Sequence, residues 1–345
     1  MKQLTFDEIR AATLGAARVC REAGGVRFYR FTEEEERVYR DRPLAPHLTG
    51  VYRKTFSTAG IKLSFRTDSR RLFLAISAEQ GGSSRSFFSL DVLVDGAPVG
   101  YIDNFSDAPP TPDLWKRVCP LGDFERTFDL GEGKKTVTVH LPWSAVLTLR
   151  EICLDDGATL APVKPHKRLL VYGDSITHGY DATRPHLRHI AQLCDRLGLE
   201  EYNKAIGSEV FFPPLARCAC ELAPDYVLVA YGTNDWANID YPTFAKNCAD
   251  FYTALAARHP KARIFALTPI ARGDLQEGGT FGPLARVGEK IREVAAGAKN
   301  ITVIDCTNAV PREVAFFSDD FLHPNDEGFS HYFENLTREM RKYIK

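Results

Sequence analysis

Two regimes of hydrophobic periodicity divide the chain. Between residues 61 and 141, apolar and polar positions alternate in short runs. Ile61, Leu63 and Phe65 alternate with Lys62, Ser64 and Arg66. Leu72, Leu74 and Ile76 repeat the pattern, as do Phe88, Leu90, Val92 and Val94. Val137, Val139 and Leu141 alternate with Thr136, Thr138 and His140. Period two sends successive side chains to opposite faces, so each run is a strand with one face on a core. Asp95-Gly96 is a hairpin turn signal, and Gly131-Glu132-Gly133 turns the chain before the last run. Such repetition predicts an antiparallel β-sandwich, jelly-roll-like, over residues 1–160. Ahead of it, Thr5 and Glu8 have capping-box spacing for a helix running towards Ala23, which Gly24-Gly25 stops.

Gly157 to His166 contains Gly157, Pro162 and Pro165, lacks periodicity, and marks a boundary. From Lys167 the pattern changes to apolar strands alternating with amphipathic helices. The expected strands are Leu169–Tyr172, Tyr202–Ala205, Tyr226–Ala230, Ile264–Leu267 and Thr302–Ile304. Phe244, Cys248, Phe251 and Leu255 form one helical stripe that stops before Pro260. Phe329, Phe333, Leu336 and Met340 form another, on a helix starting near Asn325. Strand-helix alternation predicts a parallel sheet with right-handed crossovers and helices on both faces, an α/β domain over residues 161–345.

Length supports the division. At 345 residues the chain is about twice a usual domain. A formal net charge of −1 argues against nucleic acid or an anionic membrane as partner. No apolar run reaches the ~20 residues that span a bilayer. Asp7, Glu8 and Arg10 stand where a secretion signal needs an apolar core, so a cytoplasmic location is expected. The eight cysteines then read as buried thiols, with Cys218 and Cys220 the only close pair. Glu33 to Glu36 reads as a solvated helix start, and His140 as exposed on the outer face of its strand. Trp115 and Trp143 are candidates for stacking on a sugar, although packing is the commoner use.

The polar residues of the second half gather at strand ends. Leu169–Tyr172 runs into Gly173-Asp174-Ser175, and a helix is expected to begin just after Ser175. The second strand runs into Ile206-Gly207-Ser208, and the third into Tyr231-Gly232-Thr233-Asn234-Asp235. The last cluster, Asp319-Asp320-Phe321-Leu322-His323, precedes the C-terminal helix. Carboxyl ends of parallel strands share one rim, where ligands of open α/β sheets bind. His323 can therefore meet Ser175 despite lying 148 positions later (323 minus 175).

Together the four blocks resemble the SGNH, or GDSL-like, hydrolase family over roughly residues 165–345. The matching residues are Gly173-Asp174-Ser175-Ile176, Gly207, Gly232-Thr233-Asn234-Asp235 and Asp320-x-x-His323, with isoleucine at 176 where the family name has leucine. The resemblance implies a flavodoxin-like three-layer fold and a Ser-His-Asp triad. Ser175 would be the nucleophile, His323 the base that activates it and Asp320 the carboxylate that orients the imidazole. Ser175 N–H, Gly207 N–H and the Asn234 side chain would form the oxyanion hole. A sandwich followed by such a domain is similar to carbohydrate esterase family two. That similarity implies removal of a short acyl group, acetyl above all, from a carbohydrate or small metabolite.

Competing readings stand beside these roles. Asp319 rivals Asp320, but the spacing to His323 favours Asp320 and leaves Asp319 solvated or capping. Asp174 orients the nucleophile turn or serves as a helix N-terminal charge. His178 rivals His323 as base but lies three residues after Ser175 on one helix, so it is expected to line the pocket. Tyr180 and Trp236 adjoin the site blocks and could wall the pocket or pack in the core. No metal-ligand spacing and no phosphate loop is present, so no cofactor is expected. The expected partner is a small-molecule or oligosaccharide ester. A lipase or lysophospholipase, or a silent sugar-binding protein, remains the alternative.

Overall fold

The computed structural model describes all residues except 44, 108–112, 220–221, 273–277, 320–321 and 345. In the first half the alternating runs form two antiparallel sheets of six strands each. One is ordered Arg18–Glu22, Gly25–Tyr29, Ala145–Leu154, Arg71–Gln80, Gly122–Asp129, with Lys2–Gln3 at the edge of Ala145–Leu154. The other is ordered Ala161–Pro162, Lys62–Thr67, Lys135–His140, Ser89–Val94, Ala97–Asp103, with Thr13–Leu14 beside Lys62–Thr67. Phe28, Leu74, Ile76 and Leu147 of the first sheet and Leu63, Phe65, Val92 and Val137 of the second belong to one hydrophobic cluster. The two apolar faces therefore close on each other, as period-two patterning requires when each sheet has one wet side. Asp95 and Gly96 both have positive φ, 49° and 86°, the pair of left-handed residues a two-residue hairpin needs.

The second half is a five-stranded parallel sheet ordered Leu199–Asn203, Lys167–Gly173, Tyr226–Ala230, Arg263–Leu267, Ile301–Ile304. In chain order within this half that is 2-1-3-4-5, so the direction of winding reverses beside Lys167–Gly173. Alternate residues of that strand go to different cores. Leu170 and Tyr172 pack with Phe244, Phe251 and Ile291, whereas Leu169 and Val171 pack with Leu193, Phe329 and Leu336. Both faces are thus covered by helices, which explains the continuous apolar run at 169–172. Complete burial of each such side chain is worth about 1.5–3 kcal/mol. The helices Tyr241–Arg258 and Asp326–Met340 bury the two stripes seen in the sequence.

Several expectations change. The helix begun at Thr5 has its capping box but ends at Ala12. Thr13–Leu14 pairs with Leu63 and Lys62, and Gly15 follows at φ 80°, pressed so close that a Cβ would lie 2.5 Å from the Glu201 carbonyl. Arg18–Glu22 then forms a hairpin with Gly25–Tyr29, so Gly24-Gly25 turns a hairpin rather than ending a helix. The second parallel strand is Leu199–Asn203, which starts three residues and ends two residues before the expected Tyr202–Ala205. His140 is buried, not exposed. Glu33–Arg40 is a helix capped by Thr32, yet Glu35 in it is buried and paired with Lys204 at 2.5 Å. Seven cysteines among the described residues are unbridged thiols, six of them buried. Among the described residues no helix is long and apolar enough to cross a membrane.

The two halves are not merely tethered. Ala161–Pro162 still pairs with the first half's strand Lys62–Thr67. Phe31, Tyr39, Leu48 and Val51 of the first half lie in the same core as Leu170 and Val229 of the second. Arg30, 1% exposed, is the main polar rivet. Its guanidinium donates to the carbonyls of Lys54 (2.8 Å), Ser57 (2.7 Å), Asn203 (3.0 Å) and Ala205 (2.9 Å). Five donors in a fixed fork suit such a cluster of acceptors. Each buried acceptor left unpaired costs about 1–3 kcal/mol. Arg30→Met should therefore lower stability by ~3 kcal/mol or more, read as a fall in the urea midpoint. A loss within ~0.5 kcal/mol, the range of ordinary surface changes, would contradict that role.

Candidate active site

Lys167–Gly173 delivers the chain to the sheet's rim. Asp174 caps the short helix Ser175–His178, its carboxylate accepting from Ile176 N–H at 3.0 Å. Burial pushes the Asp174 pKa up to about 6, against the pull of that N–H. The turn leaves Ser175 at the start of the helix, 7% exposed. Gly179, at φ 110°, ends the helix after one turn.

His323 arrives from the other end of the chain on the two-stranded ladder Phe317–Asp319 and His323–Pro324. Its Nε2 accepts from the Ser175 hydroxyl at 2.8 Å. On the opposite edge, Nδ1 donates to Asp319 Oδ2 at 2.6 Å, and His323 N–H donates to Asp319 Oδ1 at 2.7 Å. Two contacts from one carboxylate leave the ring little freedom to turn. Asp320, expected in this position, lies outside the described residues. Asp319, expected to be solvated or capping, is instead the carboxylate on Nδ1, its side chain 12% exposed. The tight ladder explains the shift. Asp319 stands directly opposite His323 in its register, and cross-strand partners meet side by side.

Other candidates divide sharply. Tyr180 is buried, its ring stacked on His323 at a centroid distance of 5.7 Å. Burial raises its pKa to about 12, so its hydroxyl keeps the proton. Gly207 lies against that hydroxyl, and a Cβ at 207 would come within 2.4 Å of it. Lys54 of the first half donates to the Gly207 carbonyl at 2.9 Å. Burial brings the Lys54 pKa down to about 8. The Asn234 side chain donates to the Glu209 carbonyl at 3.0 Å, which ties the third block to the Gly207 loop.

His178 packs beside Trp143 and Ser57. It is buried, and its Nε2 lies 2.9 Å from the Trp143 carbonyl and 3.0 Å from Ser57 Oγ. Burial holds its pKa well below the ordinary imidazole value, so it stays neutral. Trp236 is fully buried in the core, donating from its indole to the Gly282 carbonyl at 2.6 Å. Trp143 is likewise buried, with its indole on the Ala182 carbonyl at 2.9 Å. Trp115 is half-buried and donates to the Ser318 carbonyl at 3.1 Å.

Sequence reasoning missed two side chains beside His323. Arg85, from the loop between Arg71–Gln80 and Ser89–Val94, donates to both oxygens of Asp181, at 2.8 and 2.9 Å. It also donates to Asp319 Oδ2 at 3.2 Å. Burial is the largest influence on Asp181 and would raise its pKa, but the bond and charge of Arg85, with His323 and Ser318, together outweigh it and the net shift is downward. A lone arginine in Gly81-Gly82-Ser83-Ser84-Arg85-Ser86 was the one visible cue, a charge in a small-residue loop. Asp181, Asp319 and His323 could in principle hold a cation together, but Arg85 already supplies the positive charge there.

Residues 171–330 match the family model of the GDSL-like lipase/acylhydrolases. Three solved structures share the fold. A salicylyl-acyltransferase from a tetracycline biosynthetic pathway is 24% identical, with TM-score 0.78, covering 96% of this chain and 94% of that one. A Bacteroides ovatus protein described as a GDSL-like lipase is 19% identical, with TM-score 0.73, over 99% and 97% of the two chains. A family two carbohydrate esterase from Clostridium thermocellum, in complex with cellohexaose, is 14% identical, with TM-score 0.63, over 83% and 93%. No curated protein sequence matches the chain.

Asp235, in the third block, offers a test of how far this rim is dehydrated. It is fully buried and accepts from Phe211 N–H at 3.1 Å. Burial, with Glu209 nearby, raises its pKa to about 8. A raised carboxyl pKa favours the fold most at pH values below its unfolded value, near ~4. That contribution declines as pH rises towards about 8, because the unfolded chain ionises first. Asp235→Asn keeps an acceptor for Phe211 and removes the ionisation. It should gain stability relative to wild type as pH is raised from 4.5 to 8, measured by urea melts at both ends. A gain that shrinks over that range would contradict the assignment.

Proposed function

We propose that this chain, which carries a GDSL-like lipase/acylhydrolase domain, is a serine esterase that removes a short acyl group through an acyl-enzyme. The reading rests on one observation: Ser175 Oγ–H and Asp319 hold opposite edges of the His323 ring, at 2.8 and 2.6 Å. A serine hydroxyl needs a base to become a nucleophile, and an imidazole so bonded has its acceptor nitrogen towards the serine. His178 lacks such a partner among the described residues and faces Trp143 instead.

In this reading Ser175 Oγ attacks the acyl carbon while its proton passes to His323 Nε2. The charge that develops on the acyl oxygen is met by Ser175 N–H, Gly207 N–H and the Asn234 amide. The alcohol leaves with the proton from Nε2. Water then attacks the acyl carbon, again losing a proton to Nε2, and releases the acid and the free serine. Asp319 keeps the imidazole in the Nδ1–H tautomer and stabilises it when it becomes positive.

We read residues 1–160 as a β-sandwich accessory domain and 161–345 as a three-layer hydrolase domain. The near-complete burial of Ser175 and His323, 7% and 6% exposed, favours a short acyl group. The likeness to the family two carbohydrate esterase favours an acetylated carbohydrate or a similar acetylated alcohol. The likeness to the salicylyl-acyltransferase raises a second outcome, in which another alcohol replaces water in deacylation.

Hydrolysis of p-nitrophenyl acetate tests the roles. Ser175→Ala and His323→Ala should each lower kcat by ~10⁴-fold or more. Asp319→Asn should cost on the order of 10³–10⁴-fold, and Asp320→Asn only a few-fold. The reverse order for the two aspartates would return the acid's role to Asp320. Turnover that persists in Ser175→Ala would end the esterase reading. Faster cleavage of octanoyl than of acetyl esters would end the short-acyl reading and favour a lipase. Product analysis with an added sugar or phenol acceptor separates hydrolysis from transfer.

A further inference from the structure

We propose that Arg85 and Asp181 are positioning residues for His323, forming with Asp319 an ion-paired clamp on the Nδ1 edge of its ring. The proposal rests on the esterase reading above and assigns the first half of the chain a part in it. Two carboxylates flank that edge: Asp319 at 2.6 Å from Nδ1 and Asp181 at 3.7 Å. Side chains so close and so buried repel each other unless a cation stands between them. Arg85 is that cation, bonded to both oxygens of Asp181 and to Asp319, with one guanidinium nitrogen 3.4 Å from Nδ1.

The clamp is held from several sides. The Arg85 guanidinium lies over the rings of Trp115 and Tyr180, at 5.2 and 5.3 Å. Ser318 Oγ–H donates to Asp181 at 2.8 Å, and the Trp115 indole donates to the Ser318 carbonyl. Asp181 adopts φ 71°, a left-handed conformation that costs a non-glycine residue on the order of 1 kcal/mol. Its carboxylate bonds hold it there. Arg85 and Trp115 both come from the first half, so that half reaches the base itself.

Among the described residues, the charged and titratable groups facing the ring are Asp319, Asp181, Arg85 and Asp174, with the Tyr180 ring stacked on one side. The clamp therefore makes opposite predictions for its two new members. Removing Arg85 leaves two carboxylates with the ring and favours its positive form. Removing the Asp181 charge leaves Arg85 less balanced and disfavours it. The experiment is the pH profile of kcat/KM for p-nitrophenyl acetate, with full-length wild type, Arg85→Met, Arg85→Lys and Asp181→Asn. The acid limb should move to higher pH in Arg85→Met and to lower pH in Asp181→Asn, each by about half a unit or more. Arg85→Met should also lose on the order of 10²-fold in kcat, as misplacement of a catalytic group does. Arg85→Lys should return the limb towards wild type while recovering only part of kcat, because an ammonium cannot bond two carboxylates in a fork. Limbs that stay put, or move in the same direction in both variants, overturn the clamp. If Arg85→Met fails to fold, Asp181→Asn alone still decides by the direction of its shift. Ser175-dependent turnover in wild type with unmoved limbs would sink the clamp and leave the esterase reading standing. Absence of Ser175-dependent turnover would sink the esterase reading first.

Discussion

The hydrogen bond from Ser175 Oγ to His323 Nε2 joins residues 148 positions apart, and the architecture converges on it. Ser175 is placed by the end of a strand buried on both faces, which gives its backbone no room to shift. His323 is placed by a two-stranded ladder only a few residues long, which gives no such assurance. The weaker support is made good by polar contacts. Asp319 holds both the backbone N–H and Nδ1 of His323, and Ser318 and Trp115 hold the strand that carries Asp319. A rigid strand on one side and a polar lattice on the other bring one imidazole nitrogen to one hydroxyl.

The same division of labour appears at the Gly207 loop. It follows a parallel strand, and Ile206 just before the glycine packs in the core while its N–H donates to the Gly173 carbonyl at 3.0 Å. Cations of the first half add to that hold. Arg30 holds the carbonyls of Asn203 and Ala205, Lys54 holds that of Gly207, and Arg42 bonds Glu209 at 2.6 and 2.8 Å. Lys204 in turn donates to Arg30's carbonyl and to Glu35. Buried charges of this kind are weak evidence of net stability, because desolvation offsets much of their attraction. They are directional, however, and direction is what the loop carrying the proposed Gly207 N–H donor needs.

Hydrogen-bond partners also sort the two histidines near Ser175. His178 is enclosed by Ser57, Trp143 and Tyr180, and the loss of water holds it neutral with its Nε2 engaged by a carbonyl. His323 is equally dry but sits between a hydroxyl and a carboxylate. Exposure does not separate the proposed base from the other histidine. The partners do.

Much was legible along the chain because periodicity reports burial directly. The alternation at 61–76, the apolar run at 169–172 and the stripes at 244–255 and 329–340 each state which faces are dry, and backbone hydrogen bonding then dictates strand or helix. Strand ends of a parallel sheet share a rim, so Ser175 and His323 could be expected to meet, and they do at 2.8 Å. Lateral contact between distant segments leaves no periodic trace, and there only the tertiary structure decided. Thr13 to Glu22 joined two sheets rather than a helix because Leu63 and Tyr29 offered edges to pair with. Trp236 went to the core and Tyr180 to the base, though both adjoin site motifs. Asp319 met the imidazole because a tight ladder sets the register. Arg85 reached it from the other half of the chain, since two neighbouring carboxylates in a dry place require a cation and the arginine nearest in sequence, Arg184, is engaged by Asp103.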